Sequence, residues 1–225
     1  MNYERIIQGI FRSRPNRFIA YVDLDGTTEV CHVKNTGRCR ELLIPGAIVY
    51  LQKAENPQRK TAYDLIAVKK SNRLINMDSQ IPNAVFREWA ENGGIKDLRL
   101  INGEQKFGNS RLDFYIETKD KRIFAEVKGV TLEKDGVAMF PDAPTERGIK
   151  HINELISCQN HGYEGWIVFI IQMLGAKYFT PNYKTHAEFG EALKLAKEKG
   201  VNILALQCNV TEASIIATNK IPVKL

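Results

Sequence analysis

Three side chains near the middle of the chain have the types and spacing to hold a divalent cation beside a phosphate. Asp113 stands in Arg111-Leu112-Asp113-Phe114-Tyr115-Ile116, and Glu126 and Lys128 stand in Phe124-Ala125-Glu126-Val127-Lys128. Alternation predicts two strands. In the first, Leu112, Phe114 and Ile116 share one face, which leaves Asp113 on the other beside Arg111 and Tyr115. In the second, Glu126 and Lys128 point the same way, with β-carbons about 7 Å apart. The segment between, Thr118 to Arg122, is short and polar, so a hairpin sets Asp113 beside the Glu126 to Lys128 edge. Carboxylates so paired repel one another until a cation neutralises them, and Mg²⁺ (or Mn²⁺) takes sparse carboxylate ligation, with water and phosphate completing its shell. A neighbouring lysine can orient or help deprotonate a bound water, or offset charge on phosphorus. A plainer reading of the same residues is open too: Lys128 neutralises Asp113 and Glu126 as an ion pair, and no chemistry follows.

Further candidates lie on two predicted helices. Glu88 sits beside the apolar stripe Val85, Phe86, Trp89 and Ala90 of a helix over 84–91 that Asn83 is expected to cap, and by position alone it reads as a solvated glutamate. Arg147 and His151, four apart, form a ridge on the second helix, which begins after Pro141 to Thr145. His151 in that place contacts phosphate or shuttles a proton, or else is a hydrogen-bonded histidine at the edge of the core.

These residues need a scaffold, and the chain changes character along its length. The first third shows apolar residues at period two and no helix: Ile19 to Asp23, an Asp25-Gly26 hairpin, Thr28 to Val33, then Ala47 to Leu51 and Thr61 to Val68. Four or five short strands in about 70 residues suggest a small barrel of the oligonucleotide-binding (OB) type. Arg14, Arg17, Lys34, Arg38 and Arg40 interleave there with Phe18, Tyr21 and His32. Basic groups meet phosphates and aromatic faces meet bases, although Phe18 is expected to turn inward with the core. The polar stretch Asn72 to Pro82 reads as a linker, giving domains at 1–80 and 81–225. Beyond it helices and strands alternate, as in an α/β or α+β layered fold, with a continuously apolar strand at Trp166 to Ile171.

Of 225 residues, 44% are hydrophobic and 26% charged, which excludes disorder. No apolar run spans a bilayer, and Glu4, Arg5 and Gln8 interrupt any signal-like start, so a cytoplasmic protein without membrane contact is expected. Cys31, Cys39, Cys158 and Cys208 lack zinc-site spacing. The formal charge of +6 favours a polyanion partner mildly. Phosphate-binding loops, dinucleotide fingerprints and serine nucleophile elbows are absent.

Asp113 followed by Glu126-x-Lys128 on consecutive strands resembles the motif of the PD-(D/E)xK nuclease superfamily, with Leu112 where a proline often stands. The order helix, three strands, helix, strand is similar to that superfamily's core, and the resemblance implies Glu88, on the first helix, as an additional metal ligand. Arg17-Phe18, Asn35-Thr36-Gly37-Arg38, Ser110 to Asp113, Glu126 to Lys128 and the block Phe140 to His151, in this order, resemble the sugar fermentation stimulation protein A family over essentially the whole chain. The resemblance implies an N-terminal OB barrel, a C-terminal restriction-endonuclease-like α/β domain and binding of DNA, with single-stranded DNA or RNA as the alternative partners, without strong sequence preference. The nucleic-acid contacts expected are Arg17, Asn35, Arg38, Arg111, Arg147 and His151. Two functions stay open: a Mg²⁺-dependent nuclease, or a non-catalytic DNA-binding regulator of sugar (maltose) metabolism with a vestigial site.

Overall fold

A computed structural model describes residues 1–35 and 37–225. Its N-terminal part is a barrel of β1 (Ile6–Ser13), β2 (Ile19–Leu24), β3 (Thr27–Val33), β4 (Ile48–Lys53) and β5 (Tyr63–Lys70). The strands pair in the order β3-β2-β1-β4-β5, and a parallel pairing of β5 with β3, from Cys31↔Tyr63 to Val33↔Leu65, closes the ring. Alternation sends Phe11, Ala20, Val22, Val33, Leu51 and Leu65 inside. The β2–β3 turn carries positive φ at Asp25 (47°) and Gly26 (86°), as a tight hairpin of this hand requires.

Two expectations about this half need correcting. Phe18 is not core: it precedes β2, so strand alternation does not govern it, and its ring is 45% exposed beneath the Arg17 guanidinium, 4.9 Å away. Nor is Asn72 to Pro82 a linker. Arg73–Asn76 is a strand, β6, antiparallel to β5. The polarity that suggested a linker belongs to a buried network. Asn76 donates to the Tyr3 hydroxyl (2.8 Å) and accepts from the Gln172 amide (2.9 Å) and the Asp78 N–H (3.0 Å). Asp78, fully buried, pairs with Lys34 Nζ at 2.7 Å. Such a network survives burial because its members satisfy one another.

The second half follows with α1 (Ile81–Trp89), a π turn at Ala90–Gly94, and the antiparallel β7 (Leu98–Phe107), β8 (Ser110–Thr118) and β9 (Arg122–Val130). The hairpin β10 (Leu132–Lys134) and β11 (Val137–Phe140) comes next, then α2 (Glu146–Gln159), β12 (Glu164–Ile171), β13 (Tyr178–Pro181), α3 (Ala187–Glu198), β14 (Asn202–Val210) and β15 (Ile215–Lys220). The main sheet runs β15-β14-β12-β9-β8-β7, with β9, β12 and β14 parallel. It is covered on both faces, as the apolar run of β12 foretells. Val168 and Ile170 join the core that α1 supplies with Val85 and Phe86, whereas Ile167, Phe169 and Ile171 join α2 and α3. That second core is continuous with the barrel interior.

Helix α1 starts three residues earlier than expected, at Ile81 instead of Ala84. Pro82 occupies its first turn, where a missing N–H costs nothing, and Gln80 stands at the cap. Asn83 is thereby freed for another task. Thr145 caps α2, its hydroxyl accepting the Gly148 N–H at 3.1 Å. Periodicity alone does not announce β1, β13 or β15. Among the described residues no helix is long and apolar enough to cross a membrane.

Candidate metal centre

Asp113 sits where β8 parts from β9. The last register pair is Phe114↔Ala125, and one residue further the Asp113 carboxylate takes over: Oδ2 accepts the Val127 N–H at 2.8 Å. Its Oδ1 accepts from Asn83 Nδ2 at 3.1 Å, so α1 and β9 together fix the side chain. Glu126 is only 2% exposed. Its Oε1 accepts from Lys128 Nζ at 2.5 Å and from His151 Nδ1. Its Oε2 is buried and has no hydrogen-bond partner.

His151 owes its role to its other nitrogen. Arg147 Nε donates to His151 Nε2 at 3.4 Å, which makes Nε2 the acceptor and leaves Nδ1–H to donate to Glu126. The i, i+4 ridge expected on α2 is therefore a relay pointing inward at the carboxylate.

The electrostatics of the two acids differ. Burial, and then the charge of Glu126, hold the Asp113 carboxyl above the ordinary range, against its hydrogen bonds from Val127 and Asn83. Burial pushes Glu126 up as well, but the His151 hydrogen bond and Lys128 outweigh it and keep this carboxyl below its ordinary value. The result is a charged Glu126 with one oxygen uncommitted beside an Asp113 whose ionisation burial and Glu126 oppose more than Lys128 favours it. Such a pair can receive a hard divalent ion through two carboxylates. Among the described residues no group of three or more His, Cys, Asp or Glu side chains is gathered to form a fuller cage.

The other expected residues distribute as follows. Glu88 lines a cleft of about 490 Å³ together with Asp113, Asn83 and Arg87, but its carboxylate lies 2.7 Å from the Met1 ammonium. His151 is 5% exposed with both nitrogens engaged, so burial removes it from the nucleic-acid contacts. Asn35 is likewise spent internally: Nδ2 donates to the Met77 carbonyl (2.9 Å) and Oδ1 accepts the Gly37 N–H (2.7 Å). Arg17, Arg38, Arg111 and Arg147 are exposed, with Arg111 paired to Glu104 at 3.2 Å. Sequence reasoning misses Asn83 as a member of the site because Ser, Thr, Asn and Asp ahead of an apolar stripe read first as caps; Pro82 is the signal against it.

Comparison with known proteins agrees with this architecture. A family model described as the sugar fermentation stimulation protein RE domain matches residues 80–214, and one described as the SfsA N-terminal OB domain matches residues 13–77. A sugar fermentation stimulation protein homologue of Desulfitobacterium hafniense (strain DSM 10664 / DCB-2) is 62% identical over 225 residues, covering 100% of this chain and 99% of its own. One from Ruminiclostridium cellulolyticum is 57% identical over 226 residues, covering 100% of both chains. The structure of Pyrococcus furiosus SfsA in complex with Ca²⁺ superposes with a TM-score of 0.90 at 32% identity, over 100% of this chain and 98% of that one. Along its whole length and in both of its halves, this chain belongs to the sugar fermentation stimulation protein family.

Proposed function

We propose that this protein is a divalent-metal-dependent nuclease that holds DNA with little sequence preference. The observation that carries the reading is Glu126 Oε2, a buried carboxylate oxygen without a partner, beside an Asp113 that is reluctant to ionise. Asp113 and Glu126 Oε2 would hold Mg²⁺ or Mn²⁺, and the Ca²⁺ complex of the Pyrococcus furiosus relative supports a hard divalent ion in this family. When bound, the ion supplies Lewis acidity and a more acidic water at the phosphodiester. Lys128, tethered to Glu126 Oε1, presents an ammonium at the same edge for the charge that develops on phosphorus. His151 holds Glu126 Oε1 and so leaves Oε2 free, while the exposed Arg147 offers its guanidinium to a neighbouring phosphate. The exposed barrel residues Arg17 and Arg38 add phosphate contacts that carry no sequence information.

One observation favours the alternative, a DNA-binding regulator that does not cut: Lys128 Nζ already sits 2.5 Å from Glu126, as a finished ion pair would. Incubation of supercoiled plasmid and of end-labelled oligonucleotides with Mg²⁺, Mn²⁺ or EDTA separates the two. Metal-dependent cleavage that disappears in Lys128→Ala while DNA binding persists is the expected result. DNA that is bound, yet intact with every metal, overturns the nuclease reading and leaves the regulator.

A further inference from the structure

The carboxylate of Asp113 is gripped from two sides, by Asn83 on α1 and by the Val127 N–H on β9. Both grips lead back to one buried acid. Helix α1 has no side-chain cap of its own, since Gln80 stands at the N-cap without bonding into the first turn. Asp78 takes that role from outside the helix: its Oδ1 accepts the Gln80 N–H at 2.9 Å, and its carbonyl accepts the Ile81 N–H at 3.4 Å. A carboxylate ahead of a helix also meets the positive end of the helix dipole. The second route runs through Gln172, the residue after β12. Its N–H donates to the Val130 carbonyl at the end of β9 (2.9 Å), while its Nε2 donates to the Asp78 carbonyl (3.0 Å) and to Asn76 Oδ1 (2.9 Å). Asp78 therefore sits at the joint between the two elements that hold Asp113.

The barrel locks this joint. Asp78 is fully buried, and Lys34 Nζ, at 2.7 Å, is the only group that meets its Oδ2 among the described residues. Lys34 follows directly on β3, and its carbonyl accepts both the N–H (2.9 Å) and the hydroxyl (2.7 Å) of Ser79. Three contacts thus staple the end of β3 to residues 78 and 79, just ahead of α1. A carboxylate at this depth is costly alone, and a single ammonium from the other half of the chain supplies its counter-charge. Packing across the joint is close: a β-carbon at Gly129, the residue after Lys128, would come within 2.8 Å of Pro82 Cγ in the first turn of α1. Any shift of the α1 start is passed on to β9.

From this chain of contacts we infer that Asp78, paired with Lys34, is a positioning residue of the candidate metal centre. It touches no metal ion itself; it sets where the Asp113 carboxylate stands, and through Lys34 it makes the barrel a working part of the site. The consequence for metal binding rests on the reading of Asp113 and Glu126 as ligands, whereas the consequence for the placement of Asp113 does not.

The Val127 amide reports that placement without metal, because its acceptor is Asp113 Oδ2. Amide hydrogen exchange of the full chain in EDTA, followed by NMR, is compared for wild type, Asp78→Asn, Lys34→Met and Lys34→Arg. Val22→Ala, a cavity in the barrel core on β2, controls for general loosening, since Val22 is fully buried and makes none of these bonds. Relative to the core amides of β12, Val127 should exchange about tenfold faster in Asp78→Asn and in Lys34→Met, and as in wild type in Val22→Ala. Lys34→Arg, which keeps the cation, should recover most of the protection. Mn²⁺ titrations should follow the same order, with Asp78→Asn and Lys34→Met weakened about tenfold. If either single variant does not fold, Lys34→Met/Asp78→Asn, in which no charge is left unpaired, takes its place with the same expectation. Unchanged Val127 exchange in Asp78→Asn, or equal acceleration in Val22→Ala, overturns the inference, and so does faster exchange with undiminished Mn²⁺ affinity. Faster exchange in a protein that takes up no Mn²⁺ even as wild type upholds the positioning of Asp113 and removes the metal reading alone.

Discussion

The two carboxylates of the candidate metal centre should respond in opposite directions when each is neutralised without metal. Glu126 is held in its charged form, and Glu126→Gln converts two charge-assisted hydrogen bonds, from Lys128 and His151, into weaker neutral ones. At about 1 kcal/mol lost per bond, the variant is destabilised by roughly 2 kcal/mol, or about 4–8 °C in Tm for a chain of this size. Asp113→Asn is different. Its carboxyl lies above the ordinary range because burial and Glu126 oppose ionisation, so removing the charge relieves a cost, and Tm should rise. Asn83 can turn its amide to meet the new side chain, so the hydrogen bond there survives. The sign with pH follows from the raised folded value. Both states bind the proton below the unfolded carboxyl pKa of about 3.9, and there Asp113→Asn gains nothing. Its advantage grows as pH rises from there through the folded value and levels off above it.

Metal then reverses the order. With Mn²⁺ at 100 times its dissociation constant, wild type gains about 2.7 kcal/mol, roughly 5–11 °C, and both variants lose most of that increment. Differential scanning calorimetry of the three proteins at pH 4 and pH 7, with Mn²⁺ and with EDTA, reads all of this. If both substitutions lower Tm without metal, Asp113 is part of a finished ion pair. If Mn²⁺ raises Asp113→Asn as far as wild type, the cation does not bind where these carboxylates point.

Other consequences follow from neighbouring contacts. His151→Ala should weaken Mn²⁺ about 10–100-fold by isothermal calorimetry, since it frees Glu126 Oε1 to turn, and Arg147→Ala, which leaves His151 Nε2 without its donor, should weaken it in the same direction but less. Asp64, on β5, is pushed up by burial but pulled further down by the Arg59 fork (2.8 and 2.7 Å) and His32, so its folded carboxyl lies below the unfolded one. The stability it confers is present above about pH 4 and lost as pH falls through the lower folded value; Asp64→Asn should cost of order 1–3 kcal/mol at pH 7 and progressively less as pH falls below about 4, by urea melts across that range. Gly129→Ala should cost more than about 2 kcal/mol, because its β-carbon meets Gln172 Oε1 and Pro82 Cγ (2.8 Å) in a buried network; a melt within about 1 °C of wild type would show that network to be slack.

What the sequence discloses of this molecule is what short-range periodicity encodes. Leu112, Phe114 and Ile116 fix the face of β8, and the spacing of Glu126 and Lys128 fixes that of β9, so the convergence of acids and ammonium is legible from residue order alone. Strand β1 escapes because Gly9 and Arg12 blur its alternation, and β15 because its partner face is formed by distant residues, with Ile216 exposed and Ile215 buried. The linker error has a physical source: Asn76, Asp78 and Gln172 are polar in composition, but each is satisfied by a residue remote in sequence. Composition cannot distinguish a solvated amide from one buried with partners.

The same limit explains the half of the site that no motif announces. A carboxylate motif fixes which residues approach the cation but not which oxygen remains for it. Here that choice is made by α2: the Thr145 cap sets the helix start, Arg147 then fixes the tautomer of His151, and His151 occupies Glu126 Oε1. Asn83 and the Val127 N–H occupy both oxygens of Asp113, from α1 and β9. Glu126 Oε2 is thus the one oxygen of the pair left without a donor. A buried acceptor in that condition is costly unless a ligand completes it. The cost falls on the fold when the site is empty and is recovered on binding, which is why melting temperature with and without cation discriminates a metal centre from a relic ion pair, independently of any cleavage assay.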